Sequence, residues 1–430
     1  MQLQRYEIMK TLSIIVAAIL LCGTVYAEEG AATLCHSEAP RSYFMPHNAK
    51  HEGYSATLSE WKFSQTDKTY TSDFVIPVAW LNRQTLLRFQ TTSTAIEVSI
   101  NGNIVAASSM GGVPCEYNIT KFVKEGRNTI SIRNIEHQND RIVTHIARRS
   151  NNPQVEVISQ PTLRVRDILC STGVNDSGEG IAEFAIPVKC DALNPKSAKI
   201  SYKLHLGDTL IMARGASDIT LDMMREDTIR FVARIPRNAM WSKHSPQMVT
   251  LEIENRIDGR VVEHIVKPIG IRTAIIELGE LYINRIATKM RLADYNGTQS
   301  IDALVKSPIN GIVVPLPLAT EALLSECDQR GIYVFVCTPI DTTKLGDSIA
   351  RGGNPTNDPT YREAFAEAAR RTVLSTSLHP SVIGYVVARG TTNGINIYDS
   401  YLMMKGFQPT HPVVYEGANG EWCSDKITIR

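Results

Sequence analysis

Three carboxylates, Asp294, Asp341 and Glu416, each follow an apolar run that reads as a β-strand. In a parallel β/α barrel the carboxyl ends of the strands share one mouth. These residues are therefore the candidate pocket, in which one carboxyl group would donate a proton while another attacks or activates water. The competing fate of a carboxylate at a strand end is solvation or capping. Other chemistries find less support. The ten histidines form no His-x-His or His-Glu-x-x-His spacing, no cysteines show metal-ligand spacing, and no serine sits in a Gly-x-Ser-x-Gly elbow. Metal hydrolysis and acyl transfer are thus unsupported, and neither a metal nor another cofactor is expected.

The elements that would position such residues change character along the chain. From Tyr70 to about Glu136, short alternating segments are separated by turns. Thr85–Phe89 and Ala95–Ile100 read as strands, Asn101-Gly102 as a two-residue hairpin turn, and Lys124–Asn128 as a turn before the strand Thr129–Arg133. A second β-rich unit, about Gln160 to Arg272, has strands at Thr162–Val165, Ala182–Ile186, Ile200–Leu204, Thr228–Val232 and Val249–Ile253. That spacing predicts an immunoglobulin-like sandwich. After Arg272, apolar strands alternate with helical segments. The strands are Asn310–Val314, Gly331–Val336, Val382–Val387 and Val413–Tyr415. Helices fall around Thr320–Gln329, from an Asp358 cap and Pro359 onward with Phe365, Ala369 and Val373 on one face, and around Ile397–Lys405. This alternation is the grammar of a parallel β/α barrel. About 155 residues supply five or six strands, whereas a closed barrel takes eight.

Leu87-Arg88-Phe89, the strand into Asn101-Gly102, Gly111-Gly112, Tyr117-Asn118-Ile119-Thr120 and Gly126-Arg127-Asn128-Thr129 occur in one order, and that order resembles the jelly-roll domain of glycoside hydrolase family 2, the β-galactosidase and β-glucuronidase type. Further on, His379-Pro380-Ser381 through Gly390 resembles the family's fourth barrel strand. The resemblance implies a multidomain fold, β plus α/β: a signal peptide (1–27), a jelly-roll β-sandwich (28–158), an immunoglobulin-like β-sandwich (159–272) and an incomplete (β/α) TIM-type barrel (273–430).

The same resemblance casts doubt on catalysis. Ordinary glycosidases use two carboxyl groups. The family motif closes on Asn-Glu, the glutamate being the general acid/base, and here those positions are Arg389 and Gly390. Glycine has no proton to give, and arginine does not deprotonate usefully near neutral pH. At the end of the second strand, Val313-Val314-Pro315-Leu316-Pro317 stands where the family has an Arg-Thr-Ser-His-like run. The family's nucleophile lies beyond the Tyr415-Glu416-Gly417 segment, and no position here is expected to carry it; Glu416 matches a residue without that role. The expectation is a non-catalytic glycan-binding or interaction protein. The alternatives are a truncated fragment of a β-galactosidase-like hydrolase and an active glycosidase with relocated carboxylates. Trp61, Trp80 and Tyr117 are the candidate glycan contacts, as aromatic platforms. Trp241 reads instead as packing at an interdomain corner.

Lysine plus arginine (45) nearly balance aspartate plus glutamate (44), which removes the electrostatic footprint expected for nucleic acid or an anionic membrane. Arg5 and Lys10 precede the apolar stretch Leu12–Leu21, and Val25-Tyr26-Ala27 makes a small-residue exit. This reads as a signal peptide with a mature start near Glu28, hence an exported, periplasmic or extracellular protein without a transmembrane segment. Cys22 is disfavoured as a lipid anchor because Leu21 precedes it. The remaining cysteines read as buried thiols, with a Cys170–Cys190 bridge the alternative. Carbohydrate is the expected ligand. The open barrel adds self-association or a capping protein partner.

Overall fold

The computed structural model describes residues 54–144, 153–207, 210–418 and 423–426. The signal-peptide segment, Cys22 and Cys35 lie outside them. Among the described residues no helix is long and apolar enough to cross a membrane.

The first unit is a sandwich of two antiparallel sheets. One orders Ser55–Leu58, Val155–Gln160, Gln84–Phe89 and Cys115–Asn118; the other orders Lys62–Ser64, Thr69–Ile76, Gly126–Asn134, Ile96–Ile100 and Asn103–Ser108. Period-two alternation builds its core: Ile96, Val98 and Ile100 are buried while Glu97 and Ser99 are only half-buried. Asn101 (φ 51°) and Gly102 (φ 84°) both take positive φ, as the expected two-residue turn requires. The last strand pairs with Gln84–Phe89 as far as Gln160, so it runs across the 158/159 division.

Two candidate glycan contacts fail on burial. Trp80 is 4 % and Tyr117 0 % exposed. Both belong to the sandwich core, and the Tyr117 hydroxyl donates inward to the Ala107 carbonyl at 3.0 Å. Neither offers a face to a ligand.

The expected turn at Lys124–Asn128 is held by Asn128, which is 1 % exposed. Its Nδ2 donates to the Lys124 and Gly126 carbonyls (2.7 and 3.0 Å), and its Oδ1 accepts from Lys124 N–H and Asn101 Nδ2, both at 2.9 Å. Asn128→Ala strands these partners and is expected to cost about 2 kcal/mol, read as a lower urea midpoint with an unchanged m-value.

The second unit pairs one sheet, Leu163–Val165, Gly180–Cys190, Leu169–Val174 and Glu226–Ile235, with another, Leu210–Leu221, Lys196–Leu206, Val249–Ile257 and Arg260–Ile269. Phe231 stacks between Phe184 and Tyr202, with centroids 4.8 and 3.9 Å away. Cys170 and Cys190 are free. Cys170 lies opposite Phe184, six positions before Cys190 on the same strand, about 20 Å away, so the bridge is geometrically excluded.

After a small sheet (Ala274–Glu277, Glu280–Ile283, Ile286–Ala287) come five parallel strands in sequential order: Leu292–Asp294, Gly311–Pro315, Tyr333–Cys337, Val382–Val386 and Val413–Val414. This is part of a barrel. The helices Ile301–Val305, Glu321–Arg330, Arg362–Thr376 and Ile395–Phe407 connect them. Asp358 first caps a single 3₁₀ turn, Pro359–Tyr361, and the α-helix begins only at Arg362. Ile312, Val314, Val334 and Val336 face the helix layer. Val313, Phe335, Cys337, Val386 and Val414 face the other way, yet none exceeds 8 % exposure. The exposed inner face expected of an open barrel is therefore absent, because Trp241 and Ala274, Leu281 and Ile283 of the small sheet pack into one cluster with it. The edge of the fifth strand is covered as well: Asp425 N–H donates to the Val413 carbonyl, and Asp425 Oδ2 accepts from Val413 N–H, both at 2.8 Å.

The units dock through named contacts. Met110, Val113, Ile142 and Val143 of the first sandwich enter the helix-layer core, and Arg371 Nη1 donates to the Pro114 carbonyl at 2.7 Å. Trp241, fully buried, donates its indole N–H to the Asp328 carbonyl at 2.8 Å. It packs the corner between the second sandwich and the barrel, as its sequence position suggests.

Candidate functional site

The carboxyl ends of the barrel strands bring two of the three candidate carboxylates to one cation. Arg389, just past the fourth strand, places Nη1 2.5 Å from Asp294 Oδ1 and Nη2 3.9 Å from Glu416 Oε1. The guanidinium thus spans the mouth from the end of the first strand to the end of the fifth. Asp294 and Glu416 side chains are 71 % and 84 % exposed, so these pairs stabilise the fold by less than about 1 kcal/mol.

Asp341 is engaged elsewhere. Its backbone N–H donates to the Ile142 carbonyl at 2.8 Å. Its Oδ1 accepts from Thr343 N–H at 2.9 Å, and the Thr343 hydroxyl lies 2.5 Å from that oxygen and 2.6 Å from the Gly390 carbonyl. This is a capping role for a loop carboxylate. Gly390 takes φ +63°, and a Cβ built there would lie 2.4 Å from Thr343 Oγ1 and 3.1 Å from Asp341 Oδ1. The position matching the family's acid/base is therefore shaped for a residue without a side chain.

At the end of the second strand, where the family has a polar run, this chain has apolar residues. Val313 and Leu316 are 4 % and 5 % exposed. Burial pushes the Cys337 thiol, at the end of the third strand, up to about 12, which leaves no thiolate for nucleophilic work.

A polar cluster that the sequence did not bring together forms around His379, before the fourth strand. His379 Nδ1 donates to Asp328 Oδ2 at 2.7 Å and Nε2 to Glu321 Oε2 at 3.0 Å. Asp328 Oδ1 also accepts from the Ser381 N–H (3.0 Å) and hydroxyl (2.6 Å), and Lys267 Nζ of the second sandwich donates to Glu321 Oε1 at 2.7 Å. Arg272 Nε adds a bond to the Pro380 carbonyl at 3.0 Å. The His379-Pro380-Ser381 half of the motif is thus employed in anchoring the fourth strand to the helix Glu321–Arg330 and to the neighbouring sandwich. Only its far end, Arg389-Gly390, reaches the mouth. Burial alone would depress His379, but Asp328 and Glu321 together outweigh it and raise the imidazole to about 9.

Of the aromatic candidates only Trp61 keeps access to solvent. It is half-buried, its Nε1 donates to the Leu58 carbonyl at 3.1 Å, and it lines a cleft between the first sandwich and the helix Glu321–Arg330. No cluster of metal-ligating side chains occurs among the described residues.

Comparison with known proteins agrees with this architecture. The model described as "Glycosyl hydrolases family 2, sugar binding domain" matches residues 54–147, and "Glycosyl hydrolases family 2, TIM barrel domain" matches 317–429. Similar solved structures include a calcium binding mutant of Bacteroides uniformis β-glucuronidase 2, with TM-score 0.69, 16 % identity, and 82 % of this chain covered against 48 % of that one. A glycosyl hydrolase family 2 member from Bacteroides cellulosilyticus gives TM-score 0.63 at 16 % identity over 81 % of this chain and 49 % of its own. The β-D-glucuronidase of Dictyoglomus thermophilum gives 0.63 at 18 % identity over 85 % and 73 %. The chain spans about half the length of the first of these neighbours. The first sandwich is thus matched by the sugar binding domain model of glycosyl hydrolases family 2 and the partial barrel by that family's TIM barrel domain model, in that order along the chain.

Proposed function

We propose that this chain is a non-catalytic, carbohydrate-binding member of family 2 that acts outside the cytoplasm. The observation that carries the reading is the end of the fourth strand. There a glycine at positive φ fills the position that matches the acid/base, and the adjacent Arg389 pairs with both nearby carboxylates. Neither residue of that strand end can protonate a leaving oxygen, and a positioned acid/base supplies typically about 10²- to 10⁴-fold. Export rests on the Arg5/Lys10, Leu12–Leu21 and Val25-Tyr26-Ala27 pattern. Intact-mass measurement on protein from its native host is expected to find a start near Glu28.

The test of catalysis is turnover of aryl β-galactosides, β-glucuronides and β-mannosides, with no rate above background expected from the purified chain. A second reading, a glycosidase with relocated carboxylates, draws on the meeting of Asp294 and Glu416 at one guanidinium. The two readings separate on Arg389→Met. Under the proposal this variant stays inactive and shifts stability by under about 1 kcal/mol. Wild-type turnover that is lost on changing Asp294 or Glu416 would establish the second reading instead. The first barrel strand, Leu292–Asp294, ends the five-stranded order among the described residues and is the edge where self-association or a capping partner would act.

A further inference from the structure

The cleft beside Trp61 has a volume of about 600 Å³ and lies between the edge of the first sandwich and the amino end of the helix Glu321–Arg330, with none of Asp294, Arg389 and Glu416 in its wall. Its wall combines one aromatic ring with the amides of Gln90 and Gln154 and the carboxylates of Glu156 and Glu321. We propose that this cleft binds a neutral, hydroxyl-rich saccharide. The proposal rests on the carbohydrate-binding reading above and names the site at which that binding occurs.

Each part of the wall has a feature that suits such a ligand. Trp61 is fixed in place, since its indole N–H is already satisfied by Leu58 and its ring packs against the sandwich core. A held ring of this kind provides apolar area for the C–H face of a sugar at little entropic cost. Glu156 Oε2 is buried without a hydrogen-bond donor among the described residues, with Arg88 Nη1 3.8 Å away. An acceptor in that condition is costly to leave unmet, and a turn of the Glu156 side chain toward the cleft would let a ligand hydroxyl satisfy it. The amides of Gln90 and Gln154 supply both donors and acceptors.

Charge sets the ligand class. Among the described residues that line the cleft there is no lysine or arginine, so those groups do not neutralise a uronate. Nor does the cleft call for a cation. Glu156 faces Arg88, and Glu321 is paired with both Lys267 and His379. Both carboxylates are compensated from within the protein and keep lone pairs to offer as acceptors, which favours uncharged hydroxyls over anionic or cationic groups.

The test is calorimetric titration of the full chain with β-gluco-, β-galacto- and β-manno-tetraose and with glucuronic acid, for the wild type and for Trp61→Ala, Trp61→Phe, Glu156→Gln and Arg389→Met. The wild type is expected to bind at least one neutral tetraose and not glucuronic acid. Trp61→Ala and Glu156→Gln should each weaken that binding about tenfold or more, Trp61→Phe should weaken it less than Trp61→Ala, and Arg389→Met should leave it unchanged. Glu156→Gln nearly keeps the shape of the side chain, so its result stands even where Trp61→Ala perturbs the sandwich. Binding that survives the cleft variants but is lost in Arg389→Met would overturn the site while leaving the carbohydrate-binding reading intact. A wild type that binds none of the sugars would overturn both, and a preference for glucuronic acid would overturn the assignment to neutral ligands.

Discussion

Replacing His379 by alanine is expected to lower the stability of the chain by about 3 kcal/mol near pH 6, because it leaves the buried Asp328 and the partly exposed Glu321 without the cation at the junction between them. His379 is 3 % exposed and donates from both ring nitrogens, to Asp328 and to Glu321. An imidazole that donates twice is an imidazolium. Its pKa of about 9 in the folded chain stands against about 6.5 in an unfolded one. The folded state therefore binds the proton more tightly. The stabilisation is complete below about pH 6.5 and is lost as pH rises toward 9, and a shift of this size corresponds to about 3 kcal/mol. Glu321 runs the opposite way. Burial raises it, but His379 and Lys267 together hold it well below the usual carboxylate range, so its contribution is present above about pH 4.5 and is lost on acidification. Urea unfolding followed by tryptophan fluorescence checks this directly, since Trp241 bonds the Asp328 backbone. The gap between wild type and His379→Ala should be largest at pH 6 and narrow by pH 9. A gap independent of pH would mean that His379 is neutral in the folded protein.

The contrast between that junction and the mouth explains which parts of the molecule were legible in the sequence. Local signals survived folding. Asn101-Gly102 forms its turn, Phe365, Ala369 and Val373 are buried together on one helix face, and the change of period after Arg272 marks the parallel sheet. Strands without alternation escaped. Leu210–Leu221 carries Ala213-Arg214-Gly215-Ala216-Ser217-Asp218 in its middle, with few apolar or β-branched residues, and is held by pairing to Lys196–Leu206 rather than by its own pattern. Burial of an aromatic side chain was not legible either. Tyr117 has the same apolar ring and polar tip as a platform residue, and only its register opposite Leu87 turns it into the core. The His379 cluster joins residues 51 and 58 positions apart on different elements, and no spacing rule reports such a meeting. At the mouth the sequence supplied Asp294, Arg389 and Glu416. What it lacked was their geometry, which places the arginine between the two carboxylates and Asp341 in a cap.

Gly390→Glu is expected to restore no glycosidase activity and to destabilise the chain by about 1–3 kcal/mol. Were the acid/base the one missing group, its return would raise the rate by about 10²- to 10⁴-fold. The structure opposes this in three ways. Position 390 holds φ +63°, a conformation that costs a residue with a side chain about 1–2 kcal/mol. The new Cβ would fall 2.4 Å from Thr343 Oγ1, so the Thr343 loop must move. The new carboxylate would also arise beside Asp341, and like charges in one site resist joint ionisation. A repaired acid, moreover, acts only together with a nucleophile and a polar pocket, while the second strand ends in Val313 and Leu316, both buried in the core; members of a catalytic unit contribute little singly. Gly390→Ala separates the effects, because it carries the backbone strain and the Thr343 clash without the charge and should lose most of the same stability. Adding Thr343→Ala to Gly390→Glu relieves the clash, and that double variant is the fairest chance for activity. Turnover of any aryl β-galactoside, β-glucuronide or β-mannoside by either glutamate variant, at 10²-fold above the parent, would show that the remaining groups of the mouth are competent and that the strand end alone had silenced them.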